Sequence, residues 1–240
     1  MTKIALLLAS LLIGSSAYSQ TTNGEVNPKI YGMDTVIWFG ADFSLFRLSN
    51  ARKMGKEEKL QEYIFAWNVE YKNSISNVKL KSWFNAKKVV NDKAFTDDAY
   101  VSFIPEQWIV AERHKITRAQ IESHVKKVTT ENTGLGLIYL IENMYKGAPV
   151  GVPSNDPPST VHGYFVWFDI ASRDIIHIYE SGGRPSTSPY SVSGQWTIMN
   201  KKKMPKNKGM TGYWFQGMVD ATVKFSIDYK NGIEKEETQY

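Results

Sequence analysis

The chain has 240 residues, no cysteine and a formal net charge of +5, and 42% of its residues are hydrophobic. This length suits one large domain or two small ones, and the composition argues against disorder, collagen and long coiled coil. Without cysteine the chain has no thiol nucleophile, no disulfide, no cysteine-ligated metal and no lipid-modified cysteine of the usual bacterial lipoprotein type.

The first nineteen residues have the pattern of a secretory signal peptide. Lys3 precedes an apolar run over 4–13, and Ala17 and Ser19 occupy the small-residue positions of a cleavage site. We expect cleavage near Ser19-Gln20 and an exported, periplasmic or secreted protein. The run is too short to cross a bilayer, and no later stretch is long and apolar enough to do so.

Loss of the signal peptide removes only Lys3, which leaves a mildly basic chain. This charge suits an anionic envelope surface, and it is too weak to indicate nucleic acid as a partner.

After a flexible leader over 20–34, the pattern predicts a strand over 35–43 that is apolar on both faces and therefore covered on both. Val36 and Trp38 are assigned to one face. Ile37, Phe39 and Phe43 are assigned to the other, and Asn50 is predicted to end the segment.

The middle of the chain carries helical signals. Apolar residues at helical spacing predict a helix over 56–71, and a short helix is expected within 77–90. A short strand is predicted over 99–104. Thr117 and Gln120 form a capping box, and Ile116 and Ile121 flank it as a hydrophobic staple, so a helix is expected from there to about Thr130.

The second half is richer in strand signals. Strands are predicted over 135–144, 163–170 and 175–180, and a tight turn around 171–173 joins the last two as a hairpin. Gly182-Gly183 is predicted to end the hairpin. A closing helix over 213–229 and a charged tail over 231–240 complete the chain.

These elements predict an α/β fold on the α+β border, in which residues 35–230 form one layered domain. The expected architecture is a mixed central sheet, a hairpin in the C-terminal half and helices on both faces.

A ligand pocket is predicted where the two long apolar strands end. Asp42 and Ser44 follow the first strand and Glu142 ends the second, and parallel neighbours would bring these ends to one edge. Two carboxylates in contact could act as acid and base. The alternative is that these side chains only cap neighbouring loops.

A second candidate site is a surface contact for anionic lipid headgroups or phosphorylated glycans. The residues assigned to it are Trp196, Lys201, Lys202, Lys203, Lys206 and Lys208. A solvated loop kept soluble by its charge would have the same pattern.

No motif for nucleotide, phosphate, calcium or zinc binding is complete, and no nucleophile elbow is present. No cofactor or metal is predicted. The four histidines are not paired at ligand spacing, and His124 and His177 lie where core or boundary histidines are common.

The runs GLGLIYLIENMYK, GYFVWFDIASRDIIHIYES and GYWFQGMVDATVKF resemble a group of exported Bacteroidota proteins that have no assigned activity. The resemblance carries no functional residues. The hairpin also looks like that of small periplasmic α/β modules in envelope assembly lipoproteins, a likeness of fold only. The long insertion over 184–211 departs from the group, whose hairpin is expected to lead directly into the closing helix.

The sequence therefore favours a non-enzymatic module that binds an envelope protein or another envelope component. The alternative is a hydrolase of an envelope or dietary polymer that uses Asp42 and Glu142. A third possibility is storage or sensing of a small ligand.

Overall fold

A computed structural model describes residues 28–31, 33–50, 60–97, 105–147, 155, 158–185 and 214–237. The strands are β1 (Thr35–Asp42), β2 (Arg47–Ser49), β3 (Lys88–Asn91), β4 (Ile109–Val110), β5 (Leu135–Tyr145), β6 (Thr160–Asp169) and β7 (Ile175–Gly183). The helices are a 3₁₀ turn (Pro28–Ile30), α1 (Leu60–Ser74), α2 (Asn77–Trp83), α3 (Ala94–Asp97), α4 (Pro105–Trp108), α5 (Arg118–Val125) and α6 (Trp214–Glu237).

Strand β5 is the centre of a seven-stranded mixed sheet. On one side, β1 runs parallel to its first half and β2 runs parallel to its last residues. The outer neighbours of β1 and β2 are β3 and β4, both parallel to their partners. On the other side, β6 and β7 continue the sheet as an antiparallel hairpin.

Helices cover both faces of this sheet. The larger apolar core joins one face to α1, α2 and α6, and a smaller core joins the opposite face to α5. We call these the α6 face and the α5 face. The α/β class, the mixed sheet, the hairpin in the C-terminal half and the helices on both faces are thereby confirmed.

Helix α5 begins as its local sequence predicts. Thr117 Oγ1 accepts a hydrogen bond from the Gln120 backbone, and the Gln120 side chain accepts one from the Thr117 N–H. Ile116 and Ile121 are both buried in the smaller core. The helix ends at Val125, five residues before the predicted end.

The face assignment predicted for the first strand is wrong at its end. Val36 and Trp38 join the core on the α6 face, and Ile37 and Phe39 join the core on the α5 face. Phe43, however, lies with the α6-face core. A bulge between Trp38 and Gly40 shifts the register against β5 and reverses the alternation beyond it.

Two predicted elements differ from the structure because the residue at which each one ends was predicted wrongly. The helix expected within 77–90 is α2 followed by β3, since the chain turns at Asn85, whose φ is +47°, and continues into two valines. Strand β7 continues through Gly182 and Gly183. A Cβ on Gly183 would overlap the Gly217 carbonyl of α6, so glycine there permits close packing of the helix on the strand.

Both ends of the predicted domain also extend further. Ile30, placed in the flexible leader, is fully buried, and its carbonyl accepts a 2.7 Å hydrogen bond from Tyr229. Helix α6 continues to Glu237, into the segment expected to be a charged tail. The strand predicted over 99–104 lies outside the described residues. Helix α4 begins directly after it, at Pro105.

Within the described ranges, no helix combines the length and the apolar character needed to cross a bilayer.

Candidate functional site

Both carboxylates of the predicted pocket are buried, and each has its own partners. Asp42 Oδ1 accepts a 2.7 Å hydrogen bond from the Ser44 N–H, and its Oδ2 lies 2.8 Å from His124 Nε2. Glu142 Oε1 accepts hydrogen bonds from the Ile116 N–H at 2.8 Å and from the Tyr164 hydroxyl at 2.9 Å.

The two strands are parallel neighbours, the condition on which the predicted pocket depended, and Asp42 lies opposite Leu140. Asp42 and Ser44 form a local turn, and Asp42 fixes His124 of α5. Glu142 belongs to a different group of side chains. The structure thus joins Asp42 to Ser44, and it gives Glu142 different hydrogen-bonding partners from those of Asp42.

A bulge in β5 determines where the polar end of this strand points. Ile141 is paired with Gly163 and Asn143 with His162, so Glu142 has no partner residue on β6. Ile141 and Met144 both pack into the α6-face core. The consecutive residues Glu142 and Asn143 are therefore both directed to the α5 face.

Other polar side chains gather around these two residues on the α5 face. On β6 and β7, Tyr164 is paired with Glu180 across the hairpin, and His162 is paired with Gly182. Arg113 Nη2 lies 3.6 Å from Glu142 Oε2 and 3.7 Å from Glu180 Oε1. We call this set the polar cluster, and its members are Arg113, Glu142, Asn143, His162, Tyr164 and Glu180.

Asn143 is held firmly by two hydrogen bonds. Its Nδ2 donates to the Arg47 carbonyl at 3.1 Å and to Ser49 Oγ at 2.7 Å, and Ser49 in turn donates to the Glu112 carbonyl. Because the Arg47 carbonyl can only accept, the amide nitrogen must face it. The orientation of Asn143 Oδ1 is fixed by this contact.

Two buried acceptors of the polar cluster lack donors. Glu142 Oε2 and Asn143 Oδ1 accept no hydrogen bond from any residue the structure describes. Both residues are fully buried. Most buried polar atoms in proteins have a partner, and leaving one without costs about 1–3 kcal/mol. Glu142 Oε2 has only the ion pair with Arg113 beside it, so both acceptors can still accept hydrogen bonds.

Electrostatics in the polar cluster follow from burial and from its cations. Burial raises the pKa of Glu142, and hydrogen bonds from Ile116 and Tyr164 partly offset the increase. Burial lowers the pKa of His162 to about 4, together with the charges of Arg113, Lys224 and Lys115. At neutral pH this histidine is uncharged.

A metal centre is not indicated in the described part of the chain, where no three His, Asp or Glu side chains are grouped as metal ligands would be.

An open cavity of about 340 Å³ lies beside the outer edge of β7, between that strand and α6. Its lining includes Glu180 but neither Asp42 nor Glu142.

Trp196 and the five lysines of the predicted surface contact lie outside the described residues.

Sequence reasoning identified Glu142 and missed most of its neighbours. Tyr164 and Glu180 lie equally far from Ser172, the middle of the predicted turn, so the hairpin register could have paired them. Arg113 carries no comparable signal, because it precedes α5 in an irregular segment. The bulge that directs Asn143 to the same face as Glu142 is a property of the assembled sheet.

Comparison with known proteins adds no functional information. No protein-family model matches the chain, and no curated protein matches it. Among solved structures, a hypothetical protein from Chlamydia trachomatis is similar over 82% of this chain and 98% of its own, at 8% identity and a TM-score of 0.30. A similarity this low carries no argument about function.

Proposed function

We propose that this protein is an exported, non-catalytic binding module of the cell envelope, and that the polar cluster is its ligand site. The observation that carries the proposal is the pair of buried acceptors without donors, Glu142 Oε2 and Asn143 Oδ1. A ligand that donates hydrogen bonds to both would satisfy them.

The position of the cluster supports the same proposal. Ligands of open α/β sheets bind beyond the carboxyl ends of the strands, and Glu142 and Asn143 lie near the carboxyl end of β5 beside β2. Binding is favoured over acid–base hydrolysis because Asp42 is engaged by Ser44 and His124. Export is the prediction of residues 1–19, and N-terminal sequencing of the mature protein checks it.

A thermal-unfolding screen tests the binding function, with a chemically mixed library and two proteins, wild type and Glu142→Gln. In the variant, Ile116 and Tyr164 hold the amide oxygen in the place of Oε1, so an N–H donor replaces the acceptor Oε2. A ligand at about a hundredfold its Kd adds about 2.7 kcal/mol, or roughly 5–10 °C in Tm for a domain of this size.

We expect compounds that raise the Tm of the wild type and leave that of Glu142→Gln unchanged. Glu62→Gln is the matched control, because Glu62 is exposed on α1 at the opposite face of the sheet. A library in which no compound distinguishes the wild type from Glu142→Gln would contradict the proposed site.

A further inference from the structure

We propose that the ligand of the polar cluster is a neutral saccharide, two adjacent hydroxyls of which donate to Glu142 Oε2 and Asn143 Oδ1. This inference rests on the proposed function and specifies its ligand class.

The two acceptors form a pattern that the ligand must match. A carboxylate oxygen and an amide oxygen, on consecutive residues and on one face of the sheet, are both without donors. Two neighbouring hydroxyls on a sugar ring match two neighbouring acceptors, because each hydroxyl can donate one hydrogen bond. The amide orientation fixed by the Arg47 carbonyl keeps Asn143 Oδ1 in the acceptor role.

The charges around the polar cluster restrict the charge of the ligand. Arg113, Lys115 and Lys224 all lie near enough to His162 to lower its pKa. Arg113 also faces both carboxylates of the cluster, Glu142 and Glu180. These positive charges oppose the attraction of the two carboxylates for an ammonium ion as the donor group. A neutral hydroxyl donor meets no such repulsion.

Two side chains bear on how the ligand enters and on what its apolar part contacts. Arg113 lies against Glu142 Oε2 and keeps 39% of its side chain exposed, and the proposal requires this long side chain to rotate away so that a ligand can reach the acceptor. Tyr145 is half-buried and follows Asn143 by two residues on β5, which puts its ring on the same face. Small-molecule sites combine such an aromatic surface with a few placed polar groups.

The test is a glycan array of neutral oligosaccharides, followed by calorimetric titration of the strongest binder against wild type, Glu142→Gln and Glu62→Gln. We expect saturable binding that Glu142→Gln weakens roughly tenfold to a hundredfold, as expected when a buried acceptor becomes a donor. Glu62→Gln should bind within about twofold of wild type, since an exposed residue on the far face meets no ligand.

Deoxy analogues of the binder provide a test that needs no variant. Removal of one of the two hydroxyls should weaken binding to the wild type by a similar factor, whether or not Glu142→Gln folds. If every deoxy analogue binds as tightly as the parent sugar, the saccharide assignment is overturned. The same holds if no oligosaccharide binds at all.

The same library screen separates the two proposals. If amines, anions or peptides bind in a Glu142-dependent way and saccharides do not, the ligand class is wrong and the binding function stands. If no ligand of any class depends on Glu142, both proposals are overturned.

Discussion

Single side chains in this protein take their roles from what the sheet brings next to them. His124 and His177 were predicted to be core or boundary histidines, and His124 is buried against Asp42 as that interpretation requires. Glu142 is the one pocket residue from the sequence that lies in the polar cluster. Its role depends on Arg113 and Tyr164, which come from distant parts of the chain.

His162 makes the stability of the protein depend on pH. Its folded-state pKa of about 4 is below the ordinary value of 6.5, so the unfolded chain takes up the proton first as the pH falls. Stability that is present above pH 6.5 is therefore lost progressively between about pH 6.5 and 4. We expect His162→Gln to lose less stability than the wild type between pH 7.5 and pH 5, measured as the change in urea midpoint.

His114 and His177 also have lowered pKa values because of burial, so the variant should retain part of the acid sensitivity. An identical loss of stability in wild type and His162→Gln would show that this histidine is not responsible.

At the scale of elements, the starts of helices are more predictable than their ends. The start of α5 is fixed by side chains within a few residues, namely Thr117, Gln120 and the flanking isoleucines. Near its C-terminal end, α6 packs against the start of the folded region, where Tyr229 bonds to Ile30 and Gly232 lies against Tyr31. Such contacts across the chain leave no local signal, and the closing helix was therefore predicted too short.

The capping box gives a direct test at this scale. Thr117→Ala removes the acceptor for the Gln120 N–H, and we expect it to lower the free energy of unfolding by about 1 kcal/mol. Urea denaturation measures the change. Thr129→Ala, at an exposed position beyond the helix, should alter stability by less than about 0.5 kcal/mol. Equal effects of the two substitutions would contradict the role of the cap.

For the whole molecule, the segment before β1 is part of the folded domain and not a loose leader. Ile30 is fully buried in the larger core, and Tyr229 of α6 donates to its carbonyl. The beginning and the end of the folded region therefore stabilise each other across the α6 face.

This contact predicts that Ile30→Ala destabilises the whole domain. Loss of a fully buried isoleucine side chain costs about 2–5 kcal/mol, from lost burial and the cavity that remains. A single cooperative transition in urea, shifted to lower midpoint, is the expected result. Lys230→Ala, at an exposed position of α6 next to Tyr229, serves as the control. A wild-type midpoint for Ile30→Ala would place the segment outside the cooperative unit.

The sequence alone determined the class of fold, the strands apolar on both faces, the hairpin and the cap of α5. Each of these follows from alternation, helical spacing or contacts between residues close in the chain. It also located Glu142, whereas the pairing of β1 with β5 is known only from the structure.

Only the tertiary structure decided which side chains share a face beyond the two bulges. In β1 the bulge near Gly40 moves Phe43 to the α6 face, and in β5 the bulge at Glu142 directs Asn143 to the α5 face. A bulge adds one residue to one strand, so its position depends on the partner strand and reverses every assignment after it. The candidate site exists because of that shift in register, which no pattern within a single strand contains.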